Sequence, residues 1–99
     1  MEEKEEYRKI FDFSNHQVSN FGNVKGDKGQ LLKGEISNVG YKRVLIKKKH
    51  YSVHSLVALK FIGERPEGLI VDHIDRNKLN NHISNLRYAT CSENIIYSI

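Results

Sequence analysis

The chain has one cysteine (Cys91), one proline (Pro66) and no tryptophan among its 99 residues. A lone cysteine forms no internal disulfide, and without a Cys-x-x-Cys pair a structural zinc ribbon is excluded, so any metal must be met by oxygen or imidazole. No apolar run approaches the roughly 18 residues that cross a bilayer. Residues 1–8 are acidic rather than signal-like. These absences predict an intracellular protein that is not secreted and has no membrane partner. Apolar side chains make up only 38%, which suits one small domain, or two very small units sharing a core, and leaves no room for a barrel or doubly wound enzyme.

What the chain does have is an uneven distribution of charge. The net charge is +4, but residues 20–60 hold nine lysines and arginines against Asp27 and Glu35, a local excess of +7. Residues 1–19 sum to −2 and residues 61–99 to −1. The acidic start reads as a solvated, flexible arm over residues 1–12. The basic middle is either a solvated lysine face or the electrostatic footprint of a surface that lies along phosphates, where each neutralised phosphate releases counterions.

The pattern predicts short strands first. Gln17-Val18 precedes a turn-rich Ser19-Asn20-Phe21-Gly22-Asn23, then Val24-Lys25 and a second turn at Gly26-Asp27-Lys28-Gly29. Residues 41–46 alternate loosely between apolar and basic side chains as a strand does, and Lys47-Lys48-Lys49 turn the chain into Tyr51. From Ser52 the period changes. Val53, Leu56, Val57 and Phe61 recur at helical spacing, with Ser52 as N-cap and Gly63 just past the end. Pro66 marks a boundary. Beyond it, the apolar run Leu69-Ile70-Val71 predicts a buried strand that gives way to Asp72-His73, a long Asn-rich connection, a second short strand at Asn85-Leu86-Arg87-Tyr88, and a final helix opened by a Thr90/Glu93 capping box. There is no internal repeat.

Asp72, His73, Asn85 and Asn94 hang on three successive elements whose apolar sides must pack together. A histidine near its ordinary pKa of about 6.5 can take a proton from water, and carboxylate and amide oxygens are hard ligands suited to Mg²⁺ or Mn²⁺. Those are parts for hydrolysing a phosphodiester. The bland alternative is a satisfied histidine beside an Asn-rich turn. A regular strand aims Asp72 and His73 to opposite faces, so joint action on one phosphate requires the strand to bend or end there.

The string Val71-Asp72-His73-Ile74-Asp75-Arg76-Asn77-Lys78-Leu79-Asn80-Asn81, followed by Ser84-Asn85-Leu86-Arg87-Tyr88-Ala89-Thr90 and Ser92-Glu93-Asn94, closely resembles the HNH nucleases with a ββα-metal fold, and most closely the phage-type HNH homing endonucleases. Val18-Ser19-Asn20-Phe21-Gly22-Asn23-Val24-Lys25 is similar to the modular DNA-binding segment that often precedes that unit. The resemblance implies an α+β fold: a β-rich DNA-binding segment with a linking helix over residues 13–62, then a ββα-metal nuclease unit over residues 63–99. It implies His73 as general base, Asn85 as the residue that holds the histidine, and Asp72 with Asn94 as metal ligands. It also implies Mg²⁺ or Mn²⁺ as cofactor with no structural zinc, and double-stranded DNA as partner. Lys25, Lys42, Arg43, Lys47, Lys48, Lys49, Arg76 and Arg87 are the candidate phosphate contacts.

Arg76 stands where the family often has glycine, so the loop is expected to be strained there or to gain a phosphate contact, and Tyr88 replaces a frequent tryptophan. Asp75 is expected to cap its loop through backbone hydrogen bonds. The sequence stops about two turns into the final helix, where relatives often continue into further DNA-binding segments. The functional expectation is therefore a metal-dependent DNA endonuclease, with a non-catalytic or truncated DNA-binding module of the same family as its rival.

Overall fold

The computed structural model describes residues 4–12 and 14–90; the helix expected after Thr90, with Cys91 and Asn94, lies outside them. The architecture is α+β, as expected. An antiparallel sheet in the order β1-β2-β3-β4 comprises β1 (Tyr7–Lys9), β2 (Gln17–Ser19), β3 (Val24–Lys25) and β4 (Leu31–Leu32). A three-stranded sheet follows, with β5 (Glu35–Ile36), β6 (Lys42–Ile46) and β7 (Lys49–Ser52). Helix α1 (Val53–Phe61) leads to a two-stranded ribbon of β8 (Leu69–His73) and β9 (Leu86–Thr90), with a 3₁₀ turn at Ile83–Asn85 just before β9.

Helix α1 buries Val53, Leu56, Val57 and Ala58, the face that its apolar spacing predicts. Ser52 occupies the N-cap position, but its hydroxyl makes no capping bond. At the other end the N–H groups of Ile62 and Gly63 both reach the Ala58 carbonyl, with Gly63 at φ +126°. The helix packs on strands of all three sheets. One core results: Ile10, Val18, Val24, Val44, Ile46, Val53, Leu56, Val57 and Leu86 form a single buried cluster that includes both sheets, the helix and β9.

The solvated arm expected through residue 12 instead contains β1. Tyr7, Arg8 and Lys9 pair with Ser19, Val18 and Gln17. The segment before β1 is tied to the end of β2 and the turn that follows: Glu5 Oε2 accepts from Ser19 Oγ at 2.7 Å and Asn23 Nδ2 at 2.6 Å, and the Glu6 backbone N–H donates to Asn20 Oδ1 at 2.8 Å. The Asn23 amide is the main reason that the Glu5 carboxyl sits below its ordinary pKa. Arg8 also donates to the Lys60 carbonyl and lies 4.4 Å over the Phe61 ring, which ties β1 to the end of α1.

The β6–β7 register places Ile46 opposite Lys49, leaving Lys47 and Lys48 as a two-residue turn. Both have left-handed backbone, at φ 52° and 68°. This is the positive-φ pair that a tight hairpin turn demands and that Asn-Gly normally fills. Two lysines there cost about 1–2 kcal/mol each in backbone strain. Replacing Lys47-Lys48 by Asn-Gly is expected to raise unfolding stability by about 1–2 kcal/mol once the added chain entropy of glycine is subtracted, read as an increase in the urea midpoint at unchanged slope.

Candidate active site

The β8–β9 ladder is regular through its last pair, Asp72 opposite Arg87 and His73 opposite Leu86, and the Ile74 N–H then donates to the Asn85 carbonyl at 2.8 Å. Strand β8 therefore ends at His73, and its last two side chains leave on opposite faces. Both are buried, Asp72 at 7% and His73 at 6% exposure. On one face the Arg87 Nε–H donates to Asp72 Oδ2 at 3.0 Å, using only one carboxylate oxygen. On the other face the His73 ring sits 5.8 Å from Tyr41 and 5.1 Å from His54, centroid to centroid, and Nε2 lies 2.8 Å from Asn81 Oδ1.

The hydrogen-bond partner of His73 is thus Asn81, where the resemblance implied Asn85. Asn85 organises the loop instead. Its Oδ1 accepts the Asp75 N–H at 2.9 Å, and its Nδ2 donates to Asp75 Oδ1 at 2.8 Å and to the Asn80 carbonyl at 2.9 Å. Asp75 is the other half of that lock: the Asn77 N–H and the Asn80 amide also donate to its carboxylate. These bonds, Asn80's first, hold the Asp75 carboxyl below its ordinary pKa. Asp75 caps the loop as expected. Arg76, in the turn that follows, has φ 64°, the strained conformation that glycine relieves.

The predicted phosphate contacts are spread over the fold. Lys25 is on β3 with Nζ 3.9 Å over the Tyr7 ring. Lys42 and Arg43 are on β6, with Arg43 Nε 2.9 Å from Glu35. Lys47, Lys48 and Lys49 crowd one hairpin tip, with Lys49 Nζ 5.6 Å over Tyr51. Arg76 is on the site's loop and Arg87 faces Asp72. Among the described residues no group of three or more His, Cys, Asp or Glu side chains converges on a metal position. Asp72 is one buried carboxylate at the end of β8, an oxygen donor of the kind that hard divalent ions take.

His54, in the first turn of α1, is a second imidazole beside His73. Its Nδ1 is buried without a hydrogen-bond partner, and burial, then the neighbouring His73, pushes its imidazole down to about 4. The unfolded chain binds a proton at this residue below about pH 6.5 that the folded chain refuses until about pH 4. Folding stability therefore falls as pH drops through that window, by about 2 kcal/mol once its partial exposure is discounted. His54→Phe keeps the ring packing and is expected to flatten the pH dependence of the urea midpoint between 6.5 and 4; an unchanged slope assigns the dependence to other groups.

Comparison with known proteins bears on this geometry. Residues 51–95 match the HNH endonuclease family model. DNA endonuclease I-HmuI of Bacillus phage SP01 is 43% identical over 96 residues, covering 91% of this chain and 55% of that protein. The uncharacterized HNH endonuclease L245 of Acanthamoeba polyphaga mimivirus is 38% identical over 97 residues, covering 94% of this chain and 29% of its own length. A solved structure describing DNA binding and cleavage by the HNH homing endonuclease I-HmuI superposes with a TM-score of 0.80 at 40% identity, over 94% of this chain and 57% of that one. The chain thus spans little more than half the length of I-HmuI and less than a third of L245. Residues 51–95, with the Asp72-His73 strand end inside them, thus carry an HNH endonuclease domain, and nearly all of the chain shares the fold of I-HmuI.

Proposed function

We propose that this protein is a metal-dependent endonuclease that nicks or cleaves double-stranded DNA by phosphodiester hydrolysis. The observation that carries the reading is the adjacent burial of Asp72 and His73 at the end of β8, within the segment that matches the HNH family. A phosphate at that strand end is within reach of groups on both faces of the ribbon.

His73 takes a proton from the attacking water, as a positioned imidazole does near neutral pH. Asp72 and Asn94 supply carboxylate and amide oxygens for a divalent ion of the Mg²⁺ or Mn²⁺ type. When bound, such an ion offsets charge developing on the phosphate and the leaving oxygen. Asn85 keeps the loop after β8 closed around Asp75. Lys47, Lys48 and Lys49 at the hairpin tip, with Lys25, Lys42 and Arg43 on the sheets and Arg76 and Arg87 on the nuclease ribbon, neutralise backbone phosphates and so favour duplex DNA of any sequence. The solved I-HmuI structure is described as one of DNA binding and cleavage.

Supercoiled plasmid incubated with the protein is expected to be nicked with Mg²⁺ present and left intact after chelation. His73→Ala should slow nicking by at least about 100-fold while DNA affinity stays within about twofold, because it removes proton transfer rather than phosphate contacts. Asp72→Ala should be equally inactive at any Mg²⁺ concentration. Binding without cutting under all these conditions overturns the enzymatic reading in favour of a DNA-binding remnant. The double change of Lys47 and Lys48 to Gln is expected to weaken binding to all sequences alike and reduce the slope of log affinity against log salt by about 2. An unchanged slope removes the hairpin tip from the DNA interface.

A further inference from the structure

Asn81 is 4% exposed and faces His73, yet the family resemblance assigns it no role. What holds it there comes from the other end of the chain. Gly22, in the β2–β3 turn, has φ +88°, and a Cβ built on it would lie 2.9 Å from Asn81 Cβ and 3.0 Å from the Asn81 carbonyl oxygen. Its neighbours continue the contact. The Asn20 carbonyl accepts the Ile83 N–H at 2.8 Å, and the Phe21 ring stacks on His82 at 5.1 Å. Three consecutive turn residues thus meet three consecutive loop residues, and the middle of the docked segment is one residue from the partner of His73.

From this we infer that Asn81, seated by Gly22 of the N-terminal sheet, is a positioning residue that fixes the tautomer of His73, with hydrogen on Nε2 and the lone pair on Nδ1. A neutral imidazole has one donor and one acceptor nitrogen, and the partner of one nitrogen decides the role of the other. Asn81 Oδ1 accepts only, so Nε2 must donate and Nδ1 becomes the basic nitrogen. The Asn81 Nδ2 group is buried without a partner, so no second hydrogen bond locks the amide; packing against Gly22 does. The reverse orientation, Nδ2–H toward Nε2, fails during turnover. As the water oxygen bonds to phosphorus and the P–O bond to the leaving oxygen breaks with its electron pair, the water's proton passes to the ring, and both ring nitrogens of an imidazolium are donors. Only an oxygen facing Nε2 serves the ring before and after that transfer.

The catalytic part of this inference rests on the proposed function; the tautomer itself does not, and the two are tested separately. Long-range ¹H–¹⁵N correlation spectra of the ¹⁵N-labelled full chain at about pH 8, above the ordinary histidine pKa of about 6.5, report the tautomer directly, with His73 assigned by difference from His73→Ala. The expected result is protonated Nε2 and unprotonated Nδ1 in the native chain and in Asn81→Asp, which keeps an acceptor, and mixed tautomers in Asn81→Ala. A native His73 protonated at Nδ1, or an unchanged tautomer in Asn81→Ala, overturns the inference whether or not the protein cuts DNA. In plasmid nicking, Asn81→Ala is expected to lower kcat by about 10- to 100-fold at nearly constant KM. Gly22→Ala, checked for folding by circular dichroism, should move the His73 nitrogen signals and lower kcat alike. A folded Gly22→Ala protein with native His73 signals breaks the link to the N-terminal turn, and if that variant does not fold, the two Asn81 variants decide the tautomer assignment. Absence of nicking in the native chain with the expected tautomer present would count against the proposed function and leave the positioning assignment standing.

Discussion

Helix α1 is the surface on which everything else rests. The strands are two to five residues long, and a two-stranded ribbon on its own is marginal in water. With no disulfide available within the chain, the sheets gain stability only by burying their apolar faces together, and α1 supplies the common partner through Val53, Leu56 and Val57. The β8–β9 ribbon that carries Asp72 and His73 therefore shares its core with the sheets that precede it. Leu86 belongs to the same buried cluster as Val18 and Val24.

The polar connection between β8 and β9 is ordered for a different reason. Residues 74–82 bury little apolar surface, since Ile74 and Leu79 point outward. Order comes from hydrogen bonds that converge on one exposed carboxylate, Asp75, and from the Asn85 amide, whose oxygen and nitrogen are both satisfied. Networks of this kind are worth having only when complete, because a buried amide with unmet donors is costly. Asn85 meets that condition and Asn81 does not, with Nδ2 left over. A buried amide kept with an orphaned donor has a reason to be there other than stability, and its acceptor on His73 is that reason.

This contrast also explains what the sequence made legible. Helix α1 was readable because its apolar residues repeat at helical spacing, and β8 because Leu69-Ile70-Val71 is a continuous apolar run. Strands β1, β4 and β5 were not: β1 is Tyr-Arg-Lys, and the other two are two residues each, too short to show a period. One of the acids that made residues 1–12 look like a solvated arm, Glu5, helps to attach it through Ser19 and Asn23, and the Glu6 backbone N–H adds Asn20. At the site, Asp72-His73 stood out as a chemically active pair at the end of an apolar run. The partner of His73 did not, because Asn80, Asn81 and Asn85 look alike in sequence. Which amide turns inward is decided by where Gly22 lands, a contact across 59 residues that no local pattern encodes.

The cations separate into two groups for a physical reason as well. Arg43 is matched to Glu35 and Arg87 to Asp72, while Lys25 lies over the ring of Tyr7. Exposed pairs such as Arg43–Glu35 add little stability, but they spend part of each charge inside the protein. Lys47 and Lys48 differ. They sit at a two-residue turn in a conformation that costs backbone energy, where Asn-Gly would be easier to fold. Strain of this kind persists when the side chains are wanted at that spot for another purpose. The hairpin tip belongs to a sheet whose inner residues, Val44 and Ile46, share the core with Leu86 of the β8–β9 ribbon. On the function proposed above, phosphates met at the tip and a phosphate at the end of β8 would be referenced to the same core. On that reading the shared core would set where along a DNA backbone the end of β8 falls.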